Sequence, residues 1–442
     1  MTFEDLNLTP PLLRALDELG YTKPTTIQHK AFPVIMSGRD VCGIAQTGTG
    51  KTFAYLLPSL RLMKFSKTRA VQMLILVPTR ELVLQVMEAI KKLTVHMTLE
   101  VDGVYGGTNI NPQKARVEKG CDILVATPGR LMDLALDGSL NTKQIKKLVI
   151  DEVDEMLNLG FRTQIKNILA LLPEKRQNLL FSATITEDVE KLMQAYFNDP
   201  VRIEAAPTGT PLENIDQTAY EVPNFYTKVN LLTYLLHQDK TMSRVLVFVG
   251  TKQLADQLFT ELEATFPEQA GVIHSNKAQN FRFNAVKQFQ DGNYRFLIAT
   301  DIVARGIDVA EVSHVINFDT PAIPETYMHR IGRTGRADQR GISITFISPR
   351  EKKQQDAIEE LMQYKIPLVP LPSDLEISDV LTEEEKPKIF MKTDYVKPIK
   401  KVYNEKDFHK KSAKKLKINA KVSRKDQMKK KYGKPIKRKP KK

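Results

Sequence analysis

Short apolar runs alternate with amphipathic stretches from about residue 40 to residue 350. In the first half the runs are VCGIA (41–45), MLILV (73–77), DILVA (122–126), KLVID (147–151) and NLLFS (178–182). In the second half they are RVLVFV (244–249), GVIHS (271–275), RFLIAT (295–300), HVINF (314–318) and ISITFI (342–347). Unbroken apolar runs of this length are expected of strands buried on both faces of a parallel sheet. Between them Leu82, Val86, Ile90 and Leu93 recur at helical spacing, as do Leu254, Leu258 and Leu262. The repeated strand–helix alternation predicts a doubly wound α/β architecture.

The pattern breaks at EAAPTGTPLEN (204–214), where Pro, Gly and Thr read as a linker. The expected plan is a domain over 1–205, a linker over 206–214 and a second domain over 215–370. The alternation ends after the helical pattern EKKQQDAIEELMQY (351–364) and the prolines 367, 370 and 372. Residues 371–442 are expected to be a flexible extension. From about residue 386 it is Lys-rich and too poor in apolar residues to form a core.

Charge sharpens this division. The chain of 442 residues carries 66 Lys+Arg and 52 Asp+Glu, a net +14. Residues 401–442 hold 19 basic and 3 acidic groups, leaving 47 basic and 49 acidic in residues 1–400. The body is therefore close to neutral, and the basic tail suits a polyanionic partner such as nucleic acid. At 42% hydrophobic the body can bury two cores. No apolar run approaches the ~18–20 residues of a membrane span. The acidic, amphipathic N-terminus reads as neither signal nor transit peptide, so a cytoplasmic protein is expected. Two cysteines, Cys42 and Cys121, sit in apolar runs and form no CxxC or Cys/His cluster, which argues against a disulfide framework or zinc site.

Two motifs carry phosphate chemistry. AQTGTGKT (Ala45, Gln46, Thr47, Gly48, Thr49, Gly50, Lys51, Thr52) follows a strand-like run and precedes helix formers. Its glycines permit a tight path whose N–H groups surround phosphates, Lys51 reaches the outer phosphates, and the Thr52 hydroxyl suits Mg²⁺. Ala45 stands where the generic pattern has Gly. DEVD (151–154) ends another apolar run, at the strand edge where open α/β sheets bind ligands. Asp151 could hold the metal through water, and Glu152 could orient the attacking water. Together they predict NTP hydrolysis without saying what it drives.

The remaining motifs are GYTKPTTIQ (20–28), PTRELVLQ (78–85), TPGR (127–130), SAT (182–184), VFVGT (247–251), ATDIVARGID (299–308) and HRIGRTGR (329–336). With AQTGTGKT and DEVD, in this order and at these separations, the series resembles the DEAD-box family of ATP-dependent RNA helicases over essentially residues 1–365. Within the family the chain most resembles the bacterial RhlE-like group. The fold this implies is α/β: two RecA-like doubly wound parallel-sheet domains in tandem, plus a disordered basic C-terminal tail.

The resemblance also implies roles. Gln28 would read the adenine edge, an amide offering donor and acceptor side by side, with Tyr21, Thr26 and Phe3 completing the pocket. Asp308 would contact the ribose. Arg333 and Arg336 would be arginine fingers at the γ-phosphate, where a planar fork neutralises developing charge. His329 and Arg330 would couple the domains by meeting Asp154 and the segment Ser182, Ala183, Thr184. RNA would lie along Pro78, Thr79, Arg80, Gly106, Gly107, Thr127, Pro128, Gly129 and Arg130 of the first domain. In the second it would meet Thr251, Gln279, Arg282, Thr300 and Asp301. These groups suit phosphate and ribose contacts without base readout.

Several residues depart from the family pattern: Val153 replaces the alanine that names it, Val83 a common alanine, and Ser275–Asn276 a usual Gly-Asp. The expected activity is ATP-driven closure of two domains on RNA, with ATP and Mg²⁺ as cofactors. The tail would be an auxiliary tether, and ribosomal or RNA-decay assemblies are plausible settings. An ATP-driven DNA helicase and an ATP-independent RNA chaperone compete with this reading. The Gln28 motif, PTREL and HRIGRTGR favour RNA, and intact Lys51, Glu152, Arg333 and Arg336 oppose the chaperone.

Overall fold

A computed structural model describes residues 2–46, 48–63, 70–205, 214–301, 312–335 and 340–386. Thr47, Asp308 and Arg336, the side chain of Gln279, linker positions 206–213 and the Lys-rich segment from 387 lie outside the described residues.

Among the described residues thirteen strands fall into two sheets. The first contains β1 (Val41–Ile44), β2 (Met73–Leu76), β3 (Val101–Val104), β4 (Ile123–Ala126), β5 (Lys147–Asp151), β6 (Gln177–Ser182) and β7 (Val201–Glu204), in the order β3-β4-β2-β5-β6-β1-β7. The second contains β8 (Ile215–Glu221), β9 (Val245–Phe248), β10 (Ala270–Ile273), β11 (Phe296–Ala299), β12 (His314–Asn317) and β13 (Gly341–Ile347), ordered β10-β11-β9-β12-β13-β8. Neighbouring strands run parallel in both, with β1 registered between β6 and β7. The fold is two parallel-sheet α/β domains, as the alternation predicts. Among the described residues no helix is long and apolar enough to cross a membrane.

All ten expected apolar runs contain strands. Three further strands were not legible as such runs, because they carry exposed or half-exposed positions: β3 and β7 at the sheet edge, and β8, whose buried and exposed residues alternate. Each sheet has a hydrophobic cluster on each face, one pair including Ile75 and Phe181 on one side and Leu74 and Ile150 on the other. In the second lobe the two faces hold Phe296 and Ile298 on one side and Leu297 and Val315 on the other. Cys42 and Cys121 are buried free thiols, raised to about 11 and about 12 by burial.

The chain does not leave the second lobe at residue 370. Val369 donates to the Ala219 carbonyl, while the Ala219 N–H donates to Pro367, so the segment pairs alongside β8. Leu371 and Leu375 pack on the lobe's core. Ser378 donates to the Thr227 hydroxyl (3.0 Å), and Glu385 accepts from the Phe225 N–H (2.7 Å) and from Thr382 (2.9 Å). The extension expected from 371 onward is therefore packed as a strap as far as Lys386, held by two leucines and backbone hydrogen bonds that its prolines disguise.

Candidate ATP site and nucleic-acid interface

β1 delivers the chain into the phosphate loop, with the Ala45 N–H bonded to the Ser182 carbonyl of β6 (3.0 Å). Gly48 and Gly50 take φ of 82° and 90°, a left-handed path open to glycine. A Cβ at Gly50 would also collide with the Gln28 amide. The helix Lys51–Leu62 starts there, aiming its N-terminus at the loop. Lys51 is buried, and its Nζ has no hydrogen-bond partner. A buried ammonium left in that state fits a phosphate oxygen.

Gln28 lies at the third position of the helix Thr26–Met36. Its Oε1 accepts from the Thr25 N–H (3.0 Å) and its Nε2 donates to the Gly50 carbonyl (3.2 Å). The amide expected to read adenine thus also braces the phosphate loop, with one N–H and one acceptor position to spare. Tyr21 is exposed and packs edge-on against Phe53 of the phosphate-loop helix (5.2 Å). Thr26 is exposed as well, whereas Phe3 is buried in the lobe's core.

β5 ends at Asp151, whose Oδ2 accepts from Tyr55 (3.0 Å) while its buried Oδ1 has no partner. Burial raises its carboxyl to about 6; Lys51 pulls the other way and Glu152 adds to the rise. Glu152 itself sits at φ 54°, ψ 49°, a left-handed conformation that costs a non-glycine residue energy and recurs at functional sites. Val153 is fully buried. Asp154 accepts from the Thr184 N–H (3.1 Å) and hydroxyl (2.9 Å), and Ser182 donates to the Thr184 carbonyl (2.7 Å), with Ala183 buried between them.

The second lobe meets this carboxylate row through the helix Pro324–Ile331. His329 Nε2 lies 3.6 Å from Asp154, and its Nδ1 lies 3.6 Å from Glu155. Burial alone would depress the imidazolium, but the Asp154 and Glu155 carboxylates outweigh it and raise His329 to about 9. Burial would in turn raise Asp154, yet His329, Lys51 and Thr184 hold its carboxyl far below the usual range.

Arg330 does not join this contact, contrary to expectation. It turns into its own lobe, bidentate to Asp301 (2.6 and 2.9 Å) and donating to the Asp319 carbonyl (2.6 Å), with its guanidinium over Phe248 (5.0 Å). Adjacent helical residues point ~100° apart, so His329 and Arg330 cannot share one target. Arg333 is buried in the turn after this helix.

On the nucleic-acid side, Pro78 and Thr79 lead into the helix Arg80–Leu93, with Thr79 Oγ1 accepting from the Leu82 N–H (3.2 Å). Gly106 and Gly107 are exposed, with open space where a Cβ would stand. Thr127 precedes the helix Pro128–Leu136, which includes Gly129; the buried Arg130 donates to the Thr108 carbonyl (2.8 Å), tying this helix to the glycine loop. In the second lobe Thr251 caps the helix Lys252–Thr265 by accepting from Leu254 (3.2 Å), and Thr300 bonds back to Ile273. Arg282 reaches Glu81 of the first lobe at 3.7 Å. Of the expected second-lobe RNA residues, Asp301 is held by Arg330 and Arg282 faces the first lobe.

Residues 25–192 match the DEAD/DEAH box helicase model, and residues 227–338 match the helicase conserved C-terminal domain. The chain is 38% identical to the ATP-dependent RNA helicase DbpA of Bacillus subtilis over 377 residues, covering 85% of this chain and 78% of the relative. The chain belongs to the DEAD-box ATP-dependent RNA helicases. Among solved structures it resembles S. cerevisiae Dbp5 bound to RNA and ADP BeF3, with a TM-score of 0.76 and 29% identity over 84% of this chain and 95% of that one. It also resembles the DEAD-box helicase Mss116 bound to ssRNA and UDP-BeF, with a TM-score of 0.78 and 28% identity over 85% and 81% of the two chains.

Sequence reasoning missed two groups of this helicase's site. Tyr55 holds Asp151 from within the phosphate-loop helix, and nothing in its apolar surroundings marks it. Glu155 is fully buried against His329; the run of four acids in residues 151–155 was the available signal. At the departures, Asn276 accepts from Lys252 (3.1 Å) in place of a carboxylate.

Proposed function

We propose that this helicase grips an RNA backbone with both lobes while ATP is bound, separates a short duplex or displaces a bound protein, and releases on hydrolysis. The single observation that carries the reading is His329 of the second lobe seated against Asp154 and Glu155 of the first. Through Asp154 that contact reaches Thr184, and Asp154 follows the metal-side Asp151 and the water-side Glu152 in the turn that leaves β5.

In this reading Gln28, Tyr21 and Thr26 receive the adenine, with Phe3 as packing behind them. Gly48, Gly50 and Lys51 hold the phosphates. Thr52, and Asp151 through water, would hold Mg²⁺, which would supply charge neutralisation at the outer phosphates; the unpartnered Asp151 Oδ1 suits a hydrated cation. Glu152, in its left-handed backbone conformation at the end of β5, orients and activates the attacking water. Arg333, with Arg336, answers the charge that builds on the γ-phosphate.

We further assign residues 1–205 and 215–370 to the two lobes, with 371–386 as a strap on the second and the basic segment beyond it as an RNA tether. The Lys-rich end and general similarity favour the bacterial RhlE-like group, and the family resemblance suggests ribosome assembly or RNA decay in the cytoplasm as the process served. Backbone contacts without aromatic base platforms of the RNP type favour sequence-independent binding.

The test is ATP turnover with and without single-stranded RNA, alongside DNA of the same length. Strong stimulation by RNA alone is expected. Equal rates with and without RNA would overturn the proposal, and equal stimulation by DNA would replace it with a general nucleic-acid translocase.

A further inference from the structure

Arg80 sits at the seam between the lobes with an unusual environment for a phosphate-gripping residue. Its Cζ lies 4.6 Å from the ring centroid of Tyr105, in the same lobe, and 5.2 Å from that of Phe283, in the other. Its buried Nε has no hydrogen-bond partner. The neighbouring residue on each side repeats the crossing, Glu81 facing Arg282 at 3.7 Å with both side chains largely covered. Residues 80 and 81 of one lobe therefore meet 283 and 282 of the other.

Phe283 has no core to explain it. The helix Gln279–Gln290 buries Ala285, Val286 and Phe289 against its own sheet, while Phe283 stays 36% exposed and belongs to none of the described hydrophobic clusters. What it touches is the guanidinium. An aromatic ring uses the flat face of that group, whereas a phosphate uses the N–H donors at its edge. The two interactions do not compete, and a ring that fixes the plane also fixes where the donors point.

We infer that Phe283 is a positioning residue for Arg80, completing the first lobe's RNA-phosphate fork only when the second lobe has closed. The inference rests on the proposed RNA grip and adds a route for its coupling to closure. Open lobes leave Arg80 with Tyr105 alone, its edge free to swing. Closed lobes place it under both rings, so that RNA held by the fork favours closure and closure favours the fork, as linkage requires.

The measurement is RNA affinity with and without a non-hydrolysable ATP analogue, reported as the ratio of the two. Phe283→Ala should lower that ratio about fivefold, in the range of one cation–π contact. Phe283→Tyr should restore it. In an Arg80→Ala background, which has neither the cation nor its flat face, Phe283→Ala should lower the ratio no further. An unchanged ratio in Phe283→Ala, failure of tyrosine to rescue, or the same fivefold loss in the Arg80→Ala background would each overturn the inference. If the wild-type chain shows no tightening by the analogue, the proposed clamp itself fails, and the inference falls with it; tightening equal in wild type and Phe283→Ala removes the inference alone.

Discussion

Replacing His329 by Gln should cut lobe closure at neutral pH and abolish most of its dependence on pH. The imidazolium faces Asp154 and Glu155 directly and Glu152 more distantly, all from the first lobe, and its pKa stands at about 9 against an ordinary 6.5. Because the pKa is raised in the closed form, the stabilisation is fully present below pH 6.5 and is lost as pH rises through 9. With the open form titrating normally, the linkage amounts to roughly 2–3 kcal/mol at pH 7, on the order of tens-fold in the closing equilibrium, and is nearly gone by pH 9. Burial of all three partners keeps salt from screening it strongly. Glutamine retains a donor but cannot carry the charge. The assay is energy transfer between dyes on the two lobes, at saturating RNA and non-hydrolysable ATP, from pH 6.5 to 9.5. Wild type should open progressively between pH 6.5 and 9, while His329→Gln should start weaker and stay flat. Parallel curves for the two proteins would refute the argument that this ion contact couples the lobes.

Val153→Ala removes two methyls from a fully buried site next to the chemical groups without touching any of them. It should cost ~2 kcal/mol of first-lobe stability by denaturant melting, with ATP turnover changed less than about twofold. Truncation separates the strap from the tail. A chain ending at Lys386 should melt like the full chain but show a flatter salt dependence of RNA binding, having lost the basic segment. A chain ending at Pro370 should lose a further ~2–4 kcal/mol in the second lobe, because Leu371, Leu375 and the hydrogen bonds to Thr227 and Phe225 go with it.

Much of this helicase is legible from sequence because its elements announce themselves locally. A strand buried on both faces must be apolar throughout, so β1, β2, β4, β5 and β6 read directly, as do the strands inside the second sheet. The phosphate loop reads equally well, since glycines, lysine and threonine at fixed offsets carry their own geometry. The edge strands β3, β7 and β8 did not read, because exposed positions remove the apolar run that marks the others, whereas the fully buried edge strand β10 did. The strap at 371–386 did not read either, since two leucines and backbone hydrogen bonds leave little trace among prolines and acids.

What the tertiary structure alone decided is direction. His329 and Arg330 are neighbours in one motif, yet one faces the other lobe's carboxylates and the other anchors Asp301 at home, a choice set by the helix's rotation against its sheet. Gln28 and Gly50, Tyr55 and Asp151, and Arg80 and Phe283 are separated by 22, 96 and 203 positions, and no local period relates such pairs. The sequence of motifs determined that the chain handles ATP and RNA. Packing determined which atoms meet, because a side chain's partner depends on where a distant segment has been folded to stand.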